Sequence, residues 1–213
     1  MASPATDVVI KVGGSLYDLP DLAQRLLDFL KDLSGRRYVL VAGGGPTVDV
    51  VREFDACHRL GEETAHWLAL RALSLNAHFL ADLLGNGVVI TGHEPVPEFE
   101  AVPVIADFGL VPIIDAYAFS QADYRVNELL DPVSVLAGEL PHRWEATSDA
   151  LAGRVATVMN AKELVLLKSV SVPEPLDLTQ AVRDGHVDHY LSRLLAPTIR
   201  VRIVNLRDGS PKR

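Results

Sequence analysis

Two short apolar runs, Val8-Val9-Ile10 and Tyr38-Val39-Leu40-Val41, each lead straight into glycine. The first continues as Lys11-Val12-Gly13-Gly14-Ser15, the second as Gly43-Gly44-Gly45-Pro46 after Ala42. Between them Leu22, Leu26, Phe29, Leu30 and Leu33 recur at helical spacing. Asp18 and Pro20 read as the N-cap and an early helical proline, and Gly35 as the stop. Strand, helix, strand is a βαβ unit. It predicts two parallel strands with both glycine loops at the C-terminal edge of one sheet.

The rest of the pattern extends that sheet. A second helix is expected from Pro46 to about Phe54. A long one follows over 62–84, carried by Ala65, Leu68, Ala72, Leu75, Phe79 and Leu83 and stopped at Gly85 and Gly87. Short strands are expected at 88–91, 102–105 and 111–114, with Pro95, Pro97 and Pro103 marking an irregular connection. Residues 120–146 read as loop with short helical pieces. Thr147-Ser148-Asp149 then opens a helix running to about Asn160, which suits a left-handed helix end. A buried strand at 164–168, a break at 172–175, a short helix at 178–183 and a late strand at 199–204 complete the chain, with loose tails at 1–6 and 207–213. The alternation predicts one α/β domain, a doubly wound and mostly parallel sheet between helices.

Composition narrows the partners. The 213 residues are 48% hydrophobic, enough for one large core, and the formal charge is −8. That balance opposes a broad nucleic-acid or anionic-membrane footprint, while leaving room for a phosphate compound held by a few local cations. The single cysteine, Cys57, allows no internal disulfide and fits a reducing cytoplasm. Neither a leader pattern nor a spanning apolar run is expected. His186 and His189 are the one close histidine pair, and they read better as a polar face than as metal ligands.

The chemistry concentrates at the glycine loops. Gly13, Gly14, Gly43, Gly44 and Gly45 carry no Cβ, so backbone N–H groups can approach an anion there. The helix after Gly45 adds unpaired N–H groups at its positive end. Gly43–Val48 does not fit G-x-G-x-x-G, and no Gly-Lys pair exists, so a P-loop is excluded. Lys11 sits near the end of a buried strand, where lysine is uncommon. Beside glycine loops it is placed to neutralise a transferring phosphoryl group. Lys168 repeats this at the end of Leu-Val-Leu-Leu. Asp149 is explained by helix capping and equally by a task orienting the two lysines. Arg52 and Arg71 lie on helices as surface cations or phosphate contacts, and Trp144 as a core or lid anchor.

Lys11-Val12-Gly13-Gly14-Ser15, Gly43-Gly44-Gly45, Thr147-Ser148-Asp149-Ala150-Leu151-Ala152 and Leu166-Leu167-Lys168 stand in the order seen in the amino acid kinase superfamily, which the chain resembles over most of its length. Segments 140–149 and 65–71 are most similar to the branch holding the kinase of methanofuran and methylofuran biosynthesis. That branch phosphorylates an aminomethylfuran-methyl phosphate to the diphosphate. The resemblance implies a three-layer αβα sandwich, carbamate and acetylglutamate kinase-like, around a sheet of about eight strands, and a homodimer or higher homo-oligomer. It implies ATP, with Mg2+ carried on the nucleotide rather than by protein ligands, and a small-molecule phosphate acceptor. Lys11 would stabilise the transferring group, Asp149 would organise the lysines, and Lys168 would lie at the nucleotide side. Gly13, Gly14, Ser15, Gly43, Gly44, Gly45, Ser148 and Ser169 would hold phosphates and nucleotide. Gly44, Gly45, Arg52, Arg71, Trp144 and Thr147 would face the acceptor. Val170-Ser171-Val172-Pro173 stands where many relatives carry Asp-Gly-Val-Tyr. A non-catalytic nucleotide or anion binder therefore stays as an alternative, and a carboxylate kinase forming an acyl phosphate stands as another.

Overall fold

The computed structural model describes residues 6–91, 101–129, 141–144 and 146–208. Its centre is a parallel sheet built on β1 (Val8–Val12), every residue of which is buried. β2 (Tyr38–Ala42) lies on one side of it and β5 (Glu163–Lys168) on the other. β4 (Val111–Ile114) and β3 (Gly87–Ile90) continue outward from β2, and β6 (Arg200–Asn205) from β5. The order among the described residues is β3-β4-β2-β1-β5-β6, and all five pairings are parallel. From β1 the chain moves first to the β2 side and later crosses to β5. The strand order therefore reverses beside β1, and in open α/β sheets ligands bind outside the strand C-termini at that point.

Strand alternation decides which side chains face which layer. Val8, Ile10 and Val12 pack into a core with Leu22, Leu26, Phe29 and Leu30 of α1 (Leu22–Lys31). Val9, Leu164 and Leu166 face the opposite core, against Ala150, Leu151 and Val155 of α6 (Ser148–Val158). Lys11 follows Val9 by two residues and Lys168 follows Leu166 by two. The same alternation aims both lysines at the α6 layer. α2 (Pro46–His58) and the long α3 (Glu62–Leu84) pack together and reach the glycine edge.

Several local expectations are corrected. α1 starts after Asp21, and the Asp18 carboxylate instead accepts from Arg207 Nη2 at 2.6 Å. Arg207 Nη2 also donates to the Ser15 carbonyl, which ties down the start of the expected loose tail, and Thr6 is buried in the other. α2 continues past Phe54 to His58. Residues 101–107 are not a strand but α4 (Ala101–Asp107). Pro103 falls in the first turn, where no N–H partner is lost, and a short apolar run has no period of its own. The region 120–146 opens inside α5 (Ala116–Leu129) rather than as loop. Asp115 starts α5 by accepting from Ala118 N–H, and Ala118, Phe119 and Ala122 form its buried face. Pro95 and Pro97, and 130–140, lie outside the described residues. Asn160 takes φ 51°, as expected of the residue closing α6. Two short helices, α7 (Leu178–Arg183) and α8 (Leu191–Leu194), precede β6.

Candidate active site

The two glycine loops meet backbone to backbone. A Cβ on Gly14 would stand 2.1 Å from Gly45 N, and one on Gly43 2.6 Å from Gly14 N. Gly45 also has φ 56°, which a side chain tolerates poorly. Absent side chains therefore let the β1 and β2 loops share one edge. Side chains with no local signal in the sequence hold them there. Asn76 of α3, 3% exposed, donates from Nδ2 to the Gly43 carbonyl at 2.7 Å and the Gly44 carbonyl at 2.6 Å. Thr47 Oγ1 donates to the Gly44 carbonyl at 2.7 Å. The Tyr17 hydroxyl donates to the Gly43 carbonyl at 3.0 Å, and burial pushes its ionisation well above the ordinary tyrosine value. The phenol therefore stays a donor.

Across this edge stands Asp149, 3% exposed, in the first turn of α6. Lys11 Nζ lies 2.9 Å from Oδ1, and Lys168 Nζ donates to Oδ2 at 2.5 Å. Burial alone would raise the Asp149 carboxyl, but the two ammonium groups outweigh it and hold it at about 2. Lys168 is lowered, first by burial and then by Lys11, against the pull of Asp149. The Lys11 contact is an ion pair off hydrogen-bond alignment, so Oδ1 has no aligned donor. The Lys11 ammonium is engaged with Asp149 Oδ1, and since an ammonium carries three donors, the others can meet phosphate oxygens.

α6 starts where it does because Thr147 caps it, accepting from Asp149 N–H through Oγ1 at 3.3 Å. Asp188, whose side chain is fully buried, accepts from the Thr147 N–H and from Tyr190 N–H. It fixes the cap from a loop some forty residues away and carried no signal in the sequence.

A cleft of about 290 Å³ opens from this edge. Lys11, Gly13, Gly14, Ser15, Gly44, Gly45, Ser148 and Lys168 line its polar end. Val48, Leu70, Leu73 and Leu151 form an apolar wall, and Arg52, Trp144, Thr147 and His66 also border it. Trp144 Nε1 donates to Asp55 of α2 at 2.8 Å, and the Arg52 guanidinium lies 5.3 Å from its ring centre while pairing with Asp49. Besides Asp149, which meets the two lysines from outside the wall, three expected site residues are not part of it. Gly43 turns its carbonyl to Asn76 and Tyr17; Ser169 lies behind Ser15, with hydroxyls 2.9 Å apart; Arg71 is spent on Tyr117, 4.0 Å over its ring and bonded to its hydroxyl. The ring of His189 lies against Tyr190, and among the described residues no three His, Cys, Asp or Glu side chains converge as a metal site. No described helix is long and apolar enough to cross a membrane.

Residues 7–172 match the amino acid kinase family. The chain belongs to that family. It is 23% identical over 167 residues to the [5-(aminomethyl)furan-3-yl]methyl phosphate kinase of Methanocaldococcus jannaschii, covering 76% of this chain. The match spans 65% of that relative's length. The fold is shared with the uridylate kinase of Archaeoglobus fulgidus, at TM-score 0.56 and 16% identity over 95% of this chain and 93% of that one. The UMP kinase of Bacillus anthracis gives TM-score 0.61 and 17% identity, over 95% and 88%. These likenesses agree with the three-layer fold and the parallel sheet expected of the family.

Proposed function

We propose that this amino acid kinase family member transfers the γ-phosphoryl group of ATP to a small phosphate monoester, giving a diphosphate. The acceptor is a compound like the aminomethylfuran-methyl phosphate named for its archaeal relative, and the setting is C1-carrier cofactor biosynthesis. The observation that carries this reading is the pair of lysines held on one buried carboxylate beside two bare backbone loops. Phosphoryl transfer asks for positioning and charge neutralisation more than for a nucleophile. In this reading the N–H groups of Gly14, Gly44 and Gly45 and Ser15 hold phosphate oxygens, while the Gly13 N–H is committed to the Leu167 carbonyl at 2.9 Å. Lys11 meets the transferring group, and Lys168 meets the nucleotide. Asp149 touches neither and keeps the two ammonium groups apart and aimed. The divalent cation would come with the nucleotide phosphates, where it would neutralise charge as a Lewis acid.

Mixing Mg-ATP with phosphate monoesters and following ADP and diphosphate tests this directly. Formation of a diphosphate is the expected result. ATP that neither binds nor turns over with any such acceptor refutes it. A product trapped by hydroxylamine would point to an acyl phosphate instead.

The homo-oligomer belongs to the same proposal. Leu75 and Phe79 of α3, 60% and 41% exposed, are the apolar surface that supports it. Sedimentation velocity should show more than one copy per particle, and a monomer at micromolar concentration would contradict it.

A further inference from the structure

His66 takes no part in the phosphate chemistry above, yet it lines the same cleft. It is 6% exposed, and its Nε2 is shielded with no hydrogen-bond partner among the described residues. Leaving a buried polar atom unpaired costs about 1–3 kcal/mol, so such a group invites a partner from outside the chain. Its ring is not loose. It stacks on His142 with centres 4.6 Å apart and planes at 21°, and meets Trp67 edge-on at 5.7 Å. Glu63, the nearest carboxylate on α3, is engaged elsewhere: it accepts from Trp67 Nε1 at 2.6 Å and lies 2.5 Å from His142 Nδ1. Burial first, and His142 next, push the His66 imidazole down to about 4 against the pull of Glu63. It is therefore neutral in neutral solution, and its unpaired Nε2 can serve as a donor or as an acceptor according to the tautomer.

Its position along α3 gives that offer a direction. Asn76, which grips the glycine loops, lies ten residues further on, about 15 Å along the axis. Leu70 and Leu73 line the cleft between the two on one helical stripe. Phosphate-binding backbone stands at one end of the stripe, apolar wall in the middle, and an unpartnered neutral imidazole at the other. The cleft's 290 Å³ sits at the small end of ligand pockets.

We infer that His66 selects the acceptor by hydrogen-bonding a hydroxyl or amino group at the end remote from the phosphate. The cleft thus takes a small phosphate monoester with an apolar body and one polar tip. The inference rests on the reading that this cleft receives a phosphate monoester, but it concerns binding and needs no turnover.

The probes are benzyl phosphates of matched size, carrying a ring hydroxymethyl, aminomethyl or ethyl group, titrated calorimetrically without nucleotide. Wild type should bind at least one of the two polar-tipped esters about tenfold or more tighter than the ethyl ester, because the mismatched analogue leaves the imidazole unpaired. His66→Phe keeps a stacked ring and should bind all three about equally. His66→Gln restores a donor and an acceptor and should regain much of the preference. A merely structural His66 would lower all affinities together and leave their ratio alone. Equal binding by wild type, an unchanged ratio in His66→Phe, or no binding of any ester overturns the inference. Parallel turnover with Mg-ATP separates the two readings. A His66-dependent preference without diphosphate product keeps the recognition role and removes the kinase; product with an unchanged ratio does the reverse.

Discussion

Asp149 concentrates the account in one side chain. It is buried, paired to two lysines and held by the start of α6. Asp149→Asn would leave two ammonium groups close together with no counter-charge. Removing one partner from a buried ion pair costs about 3–5 kcal/mol, so a urea midpoint well below wild type is expected along with lost activity. Asn76→Ala acts differently. It removes one donor each from the Gly43 and Gly44 carbonyls, which keep Tyr17 and Thr47, and should cost about 0.5–1.5 kcal/mol per bond lost and raise KM for phosphate-bearing ligands more than it lowers stability elsewhere. Comparing KM with the thermal midpoint checks this; an unchanged KM would place Asn76 outside the loop's function. At this scale the sequence was half legible. A lysine ending a buried apolar run is unusual enough to notice, and alternation puts Lys11 and Lys168 on one face. Asn76 and Asp188 gave no sign, because each serves backbone groups 30 or more residues away and looks locally like any polar residue on a helix or loop. His66 sat inside a helical pattern as an ordinary member.

At the scale of elements, the glycine loops are the parts with least tolerance. The Gly14 and Gly45 backbones touch, so a methyl at either position must move a strand end. Gly14→Ala should therefore weaken nucleotide and acceptor binding together and destabilise the fold, whereas Gly35→Ala, with nothing within 4 Å of its Cβ, should cost only the strain of its φ of 82°. Denaturant titration of both variants distinguishes a crowded loop from a strained turn. The βαβ unit and the helix after Thr147 were readable because periodicity, caps and glycine agree there. α4 and α5 were not. Val102, Val104 and Ile105 are β-branched and flank a proline, which imitates a strand end. α5 starts on Asp115, whose capping role shows only once Ala118 is seen to donate to it.

For the whole molecule, pH should act in two separate windows. The His66 imidazole is lowered from about 6.5 to about 4, so the unfolded chain takes up that proton first. Stability from this group is complete above about 6.5 and is lost as pH falls towards 4. Asp149 is lowered to about 2 from the ordinary carboxylate value. Its contribution is present above about 4 and disappears between there and 2, a window shared with the lowered Asp7 and Glu163. Each group contributes at most about 1.4 kcal/mol per pH unit within its window. Urea midpoints from pH 7 to 3 should fall in wild type, and His66→Phe should flatten the upper part of the curve. An upper slope unchanged by that substitution would show that His66 is not the group titrating. The overall architecture was legible because apolar strand runs alternating with helical patterns admit few arrangements. What lay beyond reach was the alignment of α3 with both ends of the cleft, a property of packing rather than of any one stretch.

The most direct measurement is diphosphate formation from Mg-ATP and the aminomethylfuran-methyl phosphate, followed by phosphorus NMR for wild type and Lys11→Ala. Wild type should give ADP and diphosphate. Lys11→Ala should show a kcat about 10²–10³-fold lower with ligand affinity little changed, as for loss of a group that acts on developing charge. A wild type that yields no diphosphate with this or any other phosphate monoester, or a Lys11→Ala variant that keeps its full rate, would contradict the proposed transfer.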